Sequence, residues 1–273
     1  MIIRSHKLHD DAGNALPFRS SPNVGGTLKA KYLVVHFTGG SSAASSAAWL
    51  CDPRAKASAH IVIGRDGSII QLVAFNKVAW HAGISTWEGL TGLNKHSIGI
   101  ELDNAGRVTR RADGKWQNAL GVVVPASTVV EGVHKNDGVA AFWHSYTQVQ
   151  IDVARDVAAA IMGEYELVDV IGHDDISPGR KIDPGPAFPM EAFRSLVMGR
   201  SESEPEKYVT TARLNIRSGP GVDNPTLTDE PLSKGTEVHR IESASDWFYV
   251  DVQGHDDLEG WVNSRYLKRV PRP

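Results

Sequence analysis

The sequence predicts an α/β protein with a central mixed β-sheet flanked by helices, followed by a small all-β barrel near the carboxyl terminus. Three observations support this fold class. Apolar strand patterns are mixed with an amphipathic helix pattern in the first part of the chain, short β patterns without helices follow, and a polar segment separates the two. At 273 residues, the chain has the length expected for two compact domains.

The first strands are predicted from apolar runs. Residues 31–37, KYLVVHF, contain an uninterrupted run of the length expected for a strand buried on both faces, with His36 at its end. Residues 59–63, AHIVI, and 68–73, SIIQLV, flank the turn sequence GRDG. This pattern predicts a β-hairpin.

The next elements are predicted from periodicity. Residues 97–102, SIGIEL, alternate, so the isoleucines and leucine share one face and Glu101 points away from the apolar layer. The segment Tyr146 to Met162 predicts an amphipathic helix. Its periodic residues are Val149, Val153, Val157 and Ile161, with Ala154 and Ala158 beside them. Residues 168–172, VDVIG, predict a strand that ends at His173.

A change in composition divides the chain. Residues 198–207, MGRSESEPEK, are polar and contain a proline, as linkers do. The predicted domains are therefore 1–197 and 208–270. In the second, LNIRSGPG, TEVHRIES, WFYVDV and GWVNSRYL predict a small barrel or sandwich of modest stability. Residues 107–139 are punctuated by glycine, and the sequence does not place them.

Composition argues against several classes of function. With a net charge of −3, the chain gives no electrostatic reason to expect nucleic acid or an anionic membrane as a partner. The start, MIIRSHKLHDD, becomes charged too early for a secretory signal, and no segment has ~18 consecutive apolar residues. We therefore expect synthesis in the cytoplasm and no membrane span. The single cysteine, Cys51, excludes an internal disulfide.

One loop concentrates charged residues and prolines: GHDDISPGRKIDPGP, residues 172–186. A turn does not require His173, Lys181 and Asp183 at fixed distances from one another. With His36 at another strand end, His173 and Asp183 form a set of two histidines and a carboxylate. Zinc hydrolases commonly use three such ligands and leave a fourth position for water. A histidine taken alone is more often a surface or core residue, so both interpretations remain open on spacing alone.

The motifs VVHFTGG, SAHIVIGRDGSIIQLV, AWHAG, SIGIEL and GHDDISPGRKIDPGP occur in this order across about residues 31–188. Together they resemble the zinc-dependent N-acetylmuramoyl-L-alanine amidases of the type 2 amidase family, relatives of the peptidoglycan-recognition proteins. The resemblance implies a hydrolase whose partner is bacterial peptidoglycan, both glycan strand and stem peptide. The bond cleaved would join the lactyl group of N-acetylmuramic acid to L-alanine of the stem peptide.

The resemblance also implies roles for individual residues. His36, His173 and Asp183 match the Zn²⁺ ligands of the family. Glu101 matches its acidic catalytic residue, which activates water and protonates the departing nitrogen, and Lys181 matches its basic residue, which stabilises the oxyanion. Taken alone, Glu101 would read as a solvent-facing carboxylate and Lys181 as a surface lysine.

Three further residues in the same motifs, His60, Trp80 and His81, are candidates for contacts with the sugar or the peptide. Trp80 and His81 are equally compatible with packing. The chain departs from the family pattern in the long, glycine-rich stretch after Glu101, which is expected to reshape the substrate groove.

Residues 208–270 resemble bacterial SH3-like domains, which often accompany wall hydrolases and bind peptidoglycan. Four aromatic residues, Trp247, Tyr249, Trp261 and Tyr266, offer flat apolar area for a peptide or sugar. Most aromatic side chains of so small a barrel must also serve as core. The resemblance implies a module that targets the enzyme to the wall.

Two other classes of function compete with the enzyme. A recognition protein would bind peptidoglycan without cutting it, but it would need neither Glu101 nor Lys181. An adaptor with a structural metal would need a fully protein-coordinated zinc, whereas only three ligands converge. As to setting, the expectation is a phage endolysin released through holin-type holes, an effector delivered by a secretion system, or a cytosolic recycling enzyme. The sequence identifies no inhibitor or immunity partner.

Overall fold

The computed structural model describes residues 1–198, 206–255 and 258–270. The chain divides into two compact units, one of Met1–Ser85 and Gly92–Glu202 and the other of Thr86–Thr91 and Ser203–Pro273. Most of the linker predicted at 198–207 lies outside the described residues.

The helices and strands of residues 1–102 are, in chain order, β1 (Ile2–Arg4), β2 (Lys7–His9), β3 (Val24–Thr27), β4 (Tyr32–Phe37), α1 (Ala43–Leu50), β5 (Ile61–Ile63), β6 (Ile69–Gln71), β7 (Lys77–Ala79), β8 (Thr86–Trp87), β9 (Leu90–Thr91) and β10 (Ser97–Leu102). They are followed by β11 (Arg107–Arg110), β12 (Trp116–Gln117), β13 (Val123–Val124), β14 (Val129–Val133), β15 (Ala140–His144), α2 (Gln148–Tyr165), β16 (Asp169–Gly172), α3 (His173–Ile176) and α4 (Met190–Val197).

The central sheet of the first unit is mixed, as predicted. Its strand order is β16-β4-β10-β5-β6, and only the β5–β6 pair is antiparallel. Alternate residues of β4, β5 and β10 pack with α2 and α4 in the main apolar core. On the other face, Val62 packs with Ala43 and Ala47 of α1. Helices therefore cover both faces, which confirms the predicted α/β fold.

Helix α2 forms where its pattern predicts, but its buried face differs. Thr147 caps the helix by accepting a hydrogen bond from the backbone N–H of Gln150. Val149 is 47% exposed, and Gln150 occupies the core side instead. The reason is geometric, since a helix has 3.6 residues per turn and a strict spacing of four drifts around its surface.

The stretch that the sequence left unplaced forms a second sheet. Its strand order is β13-β12-β11-β15-β14, with antiparallel pairing throughout. A small core containing Ala105, Val108 and Val124 lies beneath it. We refer to residues 107–145 as the insertion.

The second unit is all-β, as predicted. Its strands are β17 (Glu206–Thr210), β18 (Glu237–Ala244), β19 (Trp247–Val252), β20 (Glu259–Asn263) and β21 (Leu267–Arg269). They pair in the order β20-β19-β18-β17-β21, all antiparallel.

Two features of the second unit differ from the prediction. The segment LNIRSGPG makes only isolated bridges, such as Leu214 with Leu232, so it is not a regular strand. The β8–β9 hairpin also belongs to this unit, where Trp87 is buried and packs against Phe248.

Within the described residues, every helix is too short or too polar to cross a bilayer.

Candidate metal centre and active site

The parallel strands bring the site together at one edge of the central sheet. In the β4–β10 ladder His36 lies beside Glu101, and in the β4–β16 ladder Gly172 lies beside Val35. His173 follows Gly172 and begins α3, so it reaches the same edge as His36. The carboxyl ends of parallel strands are the usual location of sites in open α/β sheets.

The three predicted ligands converge. Nδ1 of His36 lies 2.8 Å from Nδ1 of His173 and 3.0 Å from Oδ2 of Asp183. Nδ1 of His173 lies 2.9 Å from the same Oδ2. Among the described residues, these three form the group of histidine and acidic side chains that could hold a metal ion, and all three are buried.

The hydrogen bonds made by Nε2 of His173 and of His36 indicate that Nδ1 of each ring is unprotonated. Nε2 of His173 lies 3.1 Å from the carbonyl oxygen of Ala82, which can only accept a hydrogen bond. We assign the proton to Nε2 on the basis of this contact, which is shorter than the one from Nη2 of Arg180 to the same nitrogen. The assignment leaves the lone pair of Nδ1, the atom turned towards Asp183, free for a metal. Carbonyl groups commonly fix metal-binding histidines in this way.

His36 is held by two successive hydrogen bonds, through His81 to the carbonyl oxygen of Ser97. Nε2 of His81 lies 3.2 Å from the carbonyl oxygen of Ser97, so His81 is protonated there and its Nδ1 is an acceptor. That Nδ1 lies 2.9 Å from Nε2 of His36, which must therefore donate. Nδ1 of His36 is left bare and faces His173 and Asp183. Two bare imidazole nitrogens and a carboxylate oxygen are a donor set that suits Zn²⁺.

Burial keeps the imidazoles of His36 and His81 neutral. Burial, reinforced by nearby His173, lowers the pKa of His36 to about 4. Burial likewise lowers the pKa of His81 well below its usual value. Both rings are uncharged at neutral pH, as metal ligation and an acceptor role require.

Glu101 lies beside the ligands in an environment suited to a proton carrier. Burial, reinforced by the negative charge of Asp183, raises the pKa of Glu101 to about 8, and the ammonium of Lys181 opposes this effect. Its Oε2 is buried without a hydrogen-bond partner among the described residues. Lys181 is itself partly buried, and its charge acts on both Glu101 and His36. Glu101 and Lys181, the two catalytic residues that the sequence predicts, therefore lie near the three predicted ligands.

The three residues proposed as substrate contacts lie in different environments. His60 is 0% exposed; its Nδ1 accepts from the backbone N–H of Gly99, and its Nε2 donates to the carbonyl of Lys77. His81 is buried and holds His36, as described above. These two side chains therefore support the site from within, because neither offers surface to a substrate. Trp80 is 37% exposed and remains a candidate contact.

One residue that the sequence analysis missed also supports the site. Arg180 donates from Nη2 to the carbonyl oxygens of Ala82 and Ile84, each at 2.8 Å. It thereby joins the loop of residues 172–186, which carries His173 and Asp183, to the segment that follows His81. Its place next to Lys181 in the charged loop was the available signal.

Comparisons with known proteins agree with this geometry. The N-acetylmuramoyl-L-alanine amidase (Amidase_2) family matches residues 26–186, and the bacterial SH3 domain family matches residues 212–268. The 1,6-anhydro-N-acetylmuramyl-L-alanine amidase AmpD of Escherichia coli is 36% identical over 142 residues, which cover 52% of this chain and 59% of AmpD. The N-acetylmuramoyl-L-alanine amidase AmiD of Escherichia coli is 36% identical over 176 residues, 62% of this chain and 54% of AmiD.

The chain thus spans a little over half the length of these two relatives. A third, N-acetylmuramoyl-L-alanine amidase A of Achromobacter lyticus, is 29% identical over 196 residues, 69% of this chain and 96% of that protein. The family match, residues 26–186, includes every predicted site residue from His36 to Asp183. This chain therefore belongs to the N-acetylmuramoyl-L-alanine amidase family and carries a bacterial SH3 domain in addition.

Proposed function

We propose that this protein is a zinc-dependent amidase that hydrolyses peptidoglycan between the lactyl group of N-acetylmuramic acid and L-alanine of the stem peptide. The observation that carries the proposal is the convergence of two bare imidazole nitrogens and Asp183 Oδ2 beside Glu101. The relatives support the choice of bond, because their names describe amidases that act on this linkage.

His36, His173 and Asp183 would hold the Zn²⁺. When bound, the ion supplies a Lewis acid that polarises the scissile carbonyl and lowers the pKa of water. The chain itself keeps the donors in place: the Ala82 carbonyl orients His173, and His81 orients His36.

The remaining chemistry is assigned to Glu101 and Lys181. In its ionised form, Glu101 accepts a proton from the attacking water; as the carboxylic acid, it then delivers that proton to the departing alanine nitrogen. The ammonium of Lys181 stabilises the negative charge that develops on the carbonyl oxygen. A recognition protein would need neither group, which favours the enzyme over the binding-only alternative.

Intact cell wall is the proposed substrate. The bacterial SH3 domain gives a second attachment to the same polymer, and such attachment raises the local concentration of bonds to be cut. A soluble muropeptide of the recycling type would gain nothing from it. The recycling alternative fits the amidase unit equally well, so the substrate must be tested in both forms.

The test is digestion of purified peptidoglycan with and without a zinc chelator, with products identified by mass spectrometry. We expect chelator-sensitive release of intact stem peptides with a free L-alanine amine, together with peptide-free glycan. Restoration by added Zn²⁺ is the control for damage by the chelator. Binding to the wall without cleavage, in the presence of zinc, would refute the proposal and favour a recognition protein.

A further inference from the structure

The turn between β14 and β15, residues 134–139, contacts residues 172–186, here called the metal-binding loop, through three consecutive side chains. Nε2 of His134 lies 3.1 Å from Oδ2 of Asp174. Nζ of Lys135 lies 3.0 Å from Oδ1 of Asp174 and 2.5 Å from Oδ1 of Asp175. Nδ2 of Asn136 donates to the carbonyl oxygen of Asp174 at 2.8 Å.

Asp174 and Asp175 form hydrogen bonds with the backbone next to His173 and at Asp183. Oδ2 of Asp175 accepts from the backbone N–H of Gly172, the residue before His173, at 2.7 Å. The backbone N–H of Asp174 donates to the carbonyl oxygen of Asp183 at 2.7 Å. Asp174 and Asp175 therefore fix the path of the chain on both sides of His173 and tie it to Asp183.

The contacts between the turn and the aspartates are buried. The side chains of His134 and Asp174 are 1% and 4% exposed, and that of Asp175 is 10% exposed. The Lys135 side chain, at 37%, covers them from the solvent side. Removal of one partner from a buried ion pair leaves an uncompensated charge, which is far more disruptive than loss of a surface pair.

The insertion also touches the rest of the loop. Trp143 of β15 packs so closely on Gly185 that an added Cβ there would lie 2.8 Å from its ring. The Tyr146 hydroxyl, just after β15, donates to the carbonyl oxygen of Pro184 at 2.8 Å. The segment that follows Asp183 is thus held by Trp143 of β15 and by Tyr146 just after it.

We propose that the turn 134–139 positions the metal-binding loop, with Lys135 as the main positioning residue for His173 and Asp183. This inference rests on the proposed metal site and extends it, because it assigns the insertion a role in setting metal affinity. Lys135 itself acts through Asp174 and Asp175 and touches neither metal nor substrate.

The test compares Lys135→Met and Lys135→Arg with Lys115→Met in the full-length protein. Lys115 is a matched control, since it lies in the insertion, is 65% exposed and is 3.9 Å from Asp113. The readouts are the zinc dissociation constant, from competition with a chromogenic chelator, and the absorption spectrum of the Co²⁺-loaded protein. Neither depends on catalytic activity.

We expect Lys135→Met to weaken zinc binding by roughly 10- to 100-fold, the usual effect of losing an outer-shell partner, and to alter the Co²⁺ spectrum. Lys135→Arg, which keeps the charge, should recover most of the affinity, and Lys115→Met should match the wild type. If Lys135→Met binds zinc within about twofold of Lys115→Met, the inference is wrong although the metal site stands. If the wild type binds no zinc, the proposed function fails with it.

A variant that fails to fold would not decide between positioning and a general structural role. Asn136→Ala serves that case, because it removes only the hydrogen bond to the Asp174 carbonyl and leaves the ion pairs intact. We expect a smaller loss of zinc affinity with a shifted Co²⁺ spectrum. An Asn136→Ala protein with the wild-type affinity and spectrum would contradict the inference.

Discussion

Gly99 controls the orientation of His36 without contacting the ligand set. It lies in β10 directly beneath His81, and an added Cβ would lie 2.5 Å from Cγ of that ring. Gly99→Ala should therefore displace His81, break its hydrogen bond to His36 and weaken zinc binding by roughly tenfold or more. Isothermal titration of zinc into the metal-free protein measures this loss.

The control for this prediction is Gly26→Ala in β3, where an added Cβ meets no atom within 4 Å. It should bind zinc as the wild type does. Equal affinities for the Gly99→Ala and wild-type proteins would show that His81 is not needed to hold His36.

Glu101→Gln tests the proton carrier. Glutamine keeps the size of the side chain but cannot accept the proton of the attacking water, so we expect a loss in kcat of about 10²- to 10⁴-fold. Zinc content should be unchanged, because Glu101 is not among the three converging ligands. Activity within about threefold of the wild type at equal zinc content would remove Glu101 from the mechanism.

At the residue scale, the sequence singled out His36, His173 and Asp183 because the two histidines end apolar strand patterns and all three match the family motifs. It could not predict the role of His81, which depends on contacts with His36 and with the Ser97 carbonyl from two other segments. The burial of His60 could not be predicted for the same reason. Its hydrogen bonds to the backbone of Gly99 and Lys77 are not visible as a sequence pattern.

At the scale of elements, a buried ion pair joins α4 to β16. Arg194, which is 6% exposed, donates from Nε to Oδ1 of Asp169, which is 1% exposed, at 2.7 Å. Arg194→Met leaves the carboxylate buried without its partner, so we expect a loss of about 3–5 kcal/mol in unfolding free energy. Urea denaturation followed by circular dichroism measures it.

The double variant Asp169→Asn, Arg194→Met distinguishes this cause from lost packing. Removal of both charges should restore a large part of the stability, because residue 169 no longer carries a buried negative charge. A double variant no more stable than Arg194→Met alone would assign the effect to the packing of the arginine stem.

The longest elements that the sequence predicted have enough residues to show an apolar run or a period. Strands β4 and β10 have six residues each, and α2 has 18. In the insertion, β12 and β13 have two residues each, too few for alternation to be recognised. Strand β17 was missed because its first residues, Glu206 and Lys207, read as part of a polar linker.

At the scale of the whole molecule, the proposed function gives one chain two sites for the same polymer, one in the amidase unit and one in the SH3 domain. A second attachment raises the effective concentration of substrate only when both domains can bind the same particle of cell wall. It has no such effect on a small soluble fragment, which can occupy one site at a time. The contribution of the SH3 domain therefore depends on substrate size, and this dependence separates targeting from a purely structural role.

A chain ending at Met198 and carrying Trp87→Ser tests this prediction. The substitution is needed because Trp87 is 1% exposed and packs against Phe248 in the second unit, so truncation alone would leave a bare indole. We expect activity on a soluble muropeptide within about threefold of the full-length protein, and a loss of at least about tenfold on intact walls. The full-length Trp87→Ser protein is the control for the substitution. Equal losses on both substrates would mean that the SH3 domain supports the catalytic unit structurally, because targeting cannot change the rate on a fragment too small to bind twice.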